Sequence, residues 1–330
     1  MTYSVGGLIQ ATDYNGFVSN TVGANVNGIW AAGSTDSGYG ETALSTVSTA
    51  GTVTATQWAS LVNTISSMAS HQGTTITSRS APVAGGIITI LSNLNTDLTT
   101  LTGARGNAVA SGTQYGTFTG SIAKTTATGS GTSAWTITFT HTITFASANA
   151  ARYFFNAGGR IKWETNKSST GNLADTEWND LANTLVGDIY ITGGTGTQVI
   201  AATSYTGTTK VGGTGTPTTL LTTTGWYDLL TSDTIIYKQF ADTAPYTGQF
   251  IQISAKTAGT GTQLVLTTVW TDPGGATASS VITGGTAVSS PATSIGAATA
   301  PTTLVTYFPP SSTYLTSASW GTPTIAAAIT

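Results

Sequence analysis

Apolar and polar side chains alternate without a break from Trp135 to Phe145. Trp135, Ile137, Phe139, His141, Ile143 and Phe145 fall on one face, and five threonines fall on the other. A period of two, with β-branched or aromatic residues at nearly every position, predicts a strand with one buried face. A tight connector rich in Ala and Asn follows, then a Gly158-Gly159 turn and a second strand from Arg160 to Trp163. This strand pair is the expected nucleus of the core. Further strands are predicted at 188–191, 198–202, 234–240, 249–256 and 263–270, with a weaker alternation in GTFTGSIAK (116–124). Gly-rich turns at 193–197, 212–217, 258–262 and 272–275 separate them.

The first third of the chain has a different period. ATDYNGFVSNTVGANV (11–26) places Tyr14, Phe17, Val18 and Val22 at helical spacing behind a Thr12 or Asp13 cap. Thr54 with Gln57 forms a capping box ahead of a helix whose stripe is Trp58, Leu61, Val62, Ile65 and Met68, ending before Gly73. A third helix is expected over Ile87 to Leu101, with Ile88, Leu91, Leu94, Leu98 and Leu101 on one side. The pattern T-x-W-x-x-L-x-N-T occurs at 56–64 and again at 176–184, and its mismatched flanks favour one amphipathic helix used twice. The fold class expected is α+β, mainly β. A small helical N-terminal region over residues 1–110 precedes a β-sandwich or jelly-roll-like body over 111–275 and an extended Gly/Thr/Ala-rich segment over 276–330.

Composition narrows the function classes. Charged residues are 7% of the chain, against about 25% in ordinary soluble domains. Threonine fills the space with 72 residues, and 29 aromatics argue for a folded chain. The net charge of −3 and the scattered ten Lys and Arg residues give no basic patch for nucleic acid. With no cysteine, disulfides, thiolate metal sites and cysteine nucleophiles are excluded. The opening MTYSVGGLIQATDYN lacks a basic n-region and an apolar h-region, so no export signal is expected. No apolar run approaches the roughly 18 residues of a membrane span. A hydroxyl-rich surface without an export signal suits a virus particle, made in the host cytoplasm and released by lysis.

Candidate chemistry is sparse. His71, at the end of a predicted helix beside Gln72, and His141 stand seventy positions apart, and His141 shares the apolar strand face, so it reads as a core residue and no paired imidazole site is expected. Asp175, Glu177 and Asp180 fall in the first turn of a predicted helix, where carboxylates complement the dipole and Asp175 reads as the cap. Asp97, Asp228, Asp233, Asp242 and Asp272 look isolated, and a calcium site built from loop carbonyls with one or two of them stays open. The glycines of GGTGTQ at 193 precede no amphipathic helix, so a phosphate cradle is not expected. SGYGE at 37–41 lacks a nucleophile-elbow pattern. Asn166-Lys167-Ser168 fits a glycosylation sequon by chance. For sugar stacking, Trp226-Tyr227, Trp320 and Tyr314 are the exposed aromatic candidates, whereas Trp58, Trp135, Trp163, Trp178 and Trp270 fall on core faces. No catalytic, cofactor or metal residues are assigned, and no enzyme is expected.

Three blocks carry a resemblance. ATDYNGF, GSTDSGYGE and VTATQWASLVNTISSMASHQG together make the first. FASANAARYFFNAGGRIKW is the second, and the series from Gly225-Trp226-Tyr227-Asp228-Leu229 through Ile253-Ser254-Ala255-Lys256 to Trp270-Thr271-Asp272 is the third. In this order, over about residues 7–275, they resemble a module of virion structural proteins of tailed bacteriophages, above all contractile-tailed cyanophages. The chain departs from that pattern in charge, with Val62, Asn63 and Ser66 where Arg and Asp are usual in the second helix. The resemblance implies a virion component without catalytic residues or cofactors. The organ expected is a neck, tail or fibre-type appendage, with a capsid decoration protein as one alternative and a receptor- or carbohydrate-binding module as another. Its partners would be copies of itself and other virion proteins, with a host surface glycan as a further class, and neither nucleic acid nor membrane. A polysaccharide-cleaving enzyme would require a carboxylate pair at hydrolase separation. A cellular surface-layer protein would require an export signal.

Overall fold

The computed structural model describes residues 10–19, 23–31, 38–84, 93–114, 135–169, 171, 173–194, 196–244, 246–273, 281–283, 286–288, 301–316 and 318–330. The helices are α1 Ala11–Val18, α2 Val26–Trp30, α3 Ala55–Gln72, α4 Leu94–Gly103, α5 Ala148–Asn156 and α6 Leu173–Asp180. The strands are β1 Trp135–Thr144, β2 Arg160–Asn166, β3 Asp188–Ile191, β4 Thr197–Ile200, β5 Thr203–Thr206, β6 Thr208–Val211, β7 Thr219–Leu220, β8 Thr234–Phe240, β9 Phe250–Ala258, β10 Gln263–Asp272, β11 Val281–Thr283, β12 Thr286–Val288, β13 Thr302–Phe308 and β14 Thr324–Ile329. The protein is α+β and mainly β, with its larger helices ahead of the first strand. Among the described residues, no helix is long and apolar enough to cross a membrane.

Two antiparallel sheets face each other across one core. The larger has the order β14-β1-β10-β9-β8-β7, and the smaller β13-β2-β3-β6. The alternation in β1 is realised in full: Trp135, Ile137, Phe139, His141 and Ile143 are buried. Opposite them in β10 stand Asp272, Trp270, Thr268, Leu266 and Leu264, which the register places on the same face. From the smaller sheet, Ile161 and Trp163 of β2 pair laterally with Ile191 and Ile189 of β3 and with Tyr307 and Val305 of β13. A bond between sheets, from Trp163 Nε1 to Thr268 Oγ1 at 2.8 Å, joins the two layers. Trp178 of α6 inserts its ring between Trp135 and Trp270, with centroids 5.2 and 5.4 Å away. Such stacked rings each remove about 150–250 Å² from water, which makes this end of the sandwich a major source of cohesion.

The helices follow their sequence signals with three differences. In α3 the Thr54 hydroxyl accepts from Gln57 N at 3.2 Å and the Gln57 amide oxygen accepts from Thr54 N at 2.8 Å. Gly73 ends that helix in the left-handed region at φ +67, and its Trp58 packs edge-on against Tyr14, 5.3 Å away. The first difference is at α1, which begins at Ala11. There Asp13 reaches back to accept from Gln10 N at 3.0 Å instead of capping from outside. Second, the segment read as a connector after β1 is the nine-residue helix α5, capped by Ser147, whose hydroxyl accepts from Ala150 N at 3.0 Å. It buries Phe154 and Phe155 and carries the chain from one sheet to the other, so β1 and β2 do not pair. Third, α6 starts at Leu173, which leaves Asp175 inside its first turn instead of at the cap.

The stretch read as an extended C-terminal segment contributes a strand to each sheet: β13 pairs with β2 and β14 with β1. Val22, the 87–92 part of the third expected helix and the alternation at 116–124 lie outside the described residues.

Candidate functional site

The strand-loop-helix junctions beside α5 frame a cleft of about 270 Å³. One wall is the Gly193-Gly194 turn after β3. A hypothetical Cβ on Gly225 would lie 2.6 Å from Gly194 N, so only glycine allows the two loops to pass so closely. Trp226 N and Tyr227 N donate to Thr192 O and Gly193 O at 2.9 and 2.8 Å, and Asp228 Oδ2 accepts from Gly225 N at 2.9 Å. This short turn fixes Trp226 and Tyr227 in opposite roles. Trp226 is buried and stacked on Phe155, with planes 20° apart and centroids 5.4 Å apart. Tyr227 lines the cleft, with its hydroxyl donating to Asn156 Oδ1 at 2.7 Å.

The opposite wall comes from Thr102 and Gly103 at the end of α4, from Arg105, Gly106 and Asn107 after it, and from Thr197 and Gln198 of β4. Asn107 Oδ1 accepts from Val199 N at 2.9 Å, and Ala108 N donates to Val199 O at 2.9 Å, so the two parts of this wall are joined to each other. Gln198 Oε1 is buried and accepts no bond within the protein among the described residues. A carbonyl oxygen removed from water without a donor costs about 1–3 kcal/mol.

Behind this cleft a chain of polar contacts ties the helical region to the β body. Gln72 Nε2 donates to Tyr39 Oη at 2.7 Å, and Tyr39 Oη donates to Arg105 O at 2.8 Å. Asn156 Nδ2 donates to Gly38 O at 2.9 Å. His71 Nε2 lies 3.2 Å from the Ala157 carbonyl, which makes it the protonated nitrogen of a neutral ring. Burial lowers the His71 pKa to about 4, only partly opposed by that carbonyl. Burial also raises the Tyr39 hydroxyl well above its usual range.

The residues singled out in the sequence fall into several places. His141 is fully buried between the sheets, and burial lowers its pKa to about 4 against an opposing bond with the Thr303 backbone. Asp175 pairs with Lys167, and both are buried. Lys167 is also the middle residue of the sequon. Glu177 and Asp180 lie instead with Asp242, one carboxylate oxygen of each within 4.8 Å of the others. Burial first, then the charges of Asp180 and Asp242, raise the Glu177 pKa, while the Thr243 N–H that it accepts opposes the shift. None of the three lines the cleft.

The other acids read as isolated have partners. Asp97 pairs with Arg79 at 2.5 Å, Asp233 with Lys256 at 3.0 Å, and Asp272 accepts from Gln249 at 3.1 Å. Of the aromatic candidates, Trp226 and Trp320 are buried, Tyr314 is exposed, and Tyr227 alone lines the cleft. Arg105, Asn107, Asn156 and Gln198 were not singled out, because polar residues scattered over ninety positions leave no spacing signal. The only hint was the Gly-rich turn at 193.

The architecture defines a mainly β, α+β protein with a polar cleft at the joint of its two parts. Comparison with known protein families, with curated proteins and with solved structures finds no match.

Proposed function

We propose that this chain is a structural part of a tailed-phage particle. In this reading it is a neck, tail or fibre-type appendage that assembles with copies of itself and with other virion proteins. It is made in the host cytoplasm, released in the particle, and carries out no catalytic step. One observation supports this most. The three blocks that resemble phage virion proteins are far apart in sequence, yet their residues meet at one joint. Tyr39, His71 and Gln72 come from the first block, Asn156 and Ala157 from the second, and Tyr227 from the third. Blocks that meet in three dimensions belong to one folded unit, which supports reading the three likenesses together as one module. The charge-poor, threonine-rich composition is compatible with a surface that persists in salt, where exposed ion pairs are screened.

Immunogold labelling of intact particles with antibody to this chain tests the assignment. Gold on the neck, tail or fibres is the expected result. Gold spread over the head would favour a capsid decoration protein, and particles without label would overturn the proposal.

A further inference from the structure

We infer that the cleft beside Tyr227 is a binding site for a neutral saccharide. Among the described residues its lining contains no Leu, Ile, Val or Met, so an apolar ligand would gain little from entering it. What it offers instead are planar polar side chains: the amides of Asn107 and Gln198, the Arg105 guanidinium and the Asp228 carboxylate. Amides and carboxylates supply donors and acceptors at spacings that suit neighbouring hydroxyls, and a guanidinium presents several donors in one plane. One positive and one negative group balance each other, which fits a neutral ligand better than a phosphate or a nucleic acid.

Two further observations point to a polyhydroxylated molecule. First, Tyr227 provides an aromatic body whose hydroxyl is already held by Asn156 and whose ring is braced edge-on by Trp226, with centroids 4.9 Å apart. A fixed ring of this kind can receive the C–H face of a pyranose, which is apolar and slightly positive against the negative π face. Second, Gln198 Oε1 lacks a donor from the protein. A rotation of the half-buried Gln198 amide presents Oε1 to a sugar hydroxyl, which is a donor of the right kind. Gly193 and Gly194 leave backbone at the cleft wall, so a ligand approaches there without side chains in the way. At about 270 Å³ the cleft is slightly below the roughly 300–1,000 Å³ of drug-sized sites, which suits about one or two sugar rings.

The site does not depend on the position of the protein in a particle, so the immunogold experiment and the following one fail separately. Saturation-transfer difference NMR on the full chain is run against the methyl glycosides of glucose, galactose, mannose, rhamnose and N-acetylglucosamine at millimolar concentration. At least one is expected to give transfer. Thr197→Trp, at an exposed position on the rim, fills the cleft and is expected to abolish it. Gln198→Ala is expected to weaken binding about tenfold through loss of one hydrogen bond. Thermal melts of both variants that match the parent exclude misfolding as the cause. Absence of transfer from all five glycosides overturns the inference, and so does transfer that persists in Thr197→Trp.

Discussion

His71 and His141 are both neutral in the folded protein because burial resists their protonation, and this ties stability to pH. Each ring binds a proton near pH 6.5 when unfolded and near pH 4 when folded. Between those values the unfolded chain binds more protons, so stability present above pH 6.5 is lost as pH falls toward 4. The two-and-a-half-unit difference corresponds to roughly 3 kcal/mol per ring. Urea midpoints from pH 7 to pH 4 are expected to fall accordingly, and His71→Asn to flatten part of the slope. A pH-independent midpoint would refute the account. Glu177 has the opposite sign. Its pKa is raised by burial and by Asp180 and Asp242, so the folded state loses stability as pH rises through the carboxylate range. Glu177→Gln keeps an oxygen for Thr243 N and is expected to raise the melting temperature at pH 7, with the gain disappearing under acid conditions. A variant less stable than the parent at pH 7 would show that the charge is needed.

At the scale of elements, α6 is held to the end of β2 by a dense polar lock. Lys167 Nζ donates to Asp175 and to Ser168 O, and the Lys167 carbonyl accepts from Asn179 and Asn183. The Lys167–Asp175 pair is buried in a chain with very few charges, so truncating one partner strands the other. Lys167→Met is expected to destabilise by about 3–5 kcal/mol, whereas Lys167→Met with Asp175→Leu restores much of the loss. A double variant whose loss equals the sum of the Lys167→Met and Asp175→Leu losses, read by urea unfolding, would show that the pair is not coupled. Neither this lock nor the cleft was legible in the sequence, and for the same reason: both depend on contacts between polar residues whose spacing follows no period. The helix α3 was legible to its ends, because Thr54, Gln57 and Gly73 signal locally and Trp58 to Met68 repeat at 3.6 residues. The strand β1 was legible as well, through its alternation. The helix α5 was not, because nine residues are too few for a helical period to stand out. Its Ala and Asn content between a long strand and a Gly-Gly turn read as a tight connector.

For the whole molecule the most consequential element is β14, at the open edge of the larger sheet. Its six residues, Thr324 to Ile329, pair with Thr144 to Phe139 of β1, and Thr330 and Thr138 exchange both backbone bonds at 3.0 Å. Low apolar content hid this role, since Ala326, Ala327 and Ala328 contribute little to any hydrophobic pattern. What β14 supplies is backbone pairing that covers one side of β1. Without it, β1 would present its own unpaired N–H and C=O groups, beside threonines and without a charged side chain to discourage another strand. Deleting residues 324–330 is therefore expected to do two separable things. The melting temperature falls, because a ladder and its covering of Phe139 to Ile143 are lost. The protein also forms concentration-dependent oligomers, because an exposed β1 edge accepts strands from other chains. Size-exclusion chromatography with light scattering over a dilution series measures the second effect apart from the first. Adding back a synthetic peptide of residues 324–330 is expected to reverse it by reoccupying the edge. A truncated chain that melts like the parent and stays at the parent's size would show that β14 is dispensable, and that the sandwich closes without its last strand.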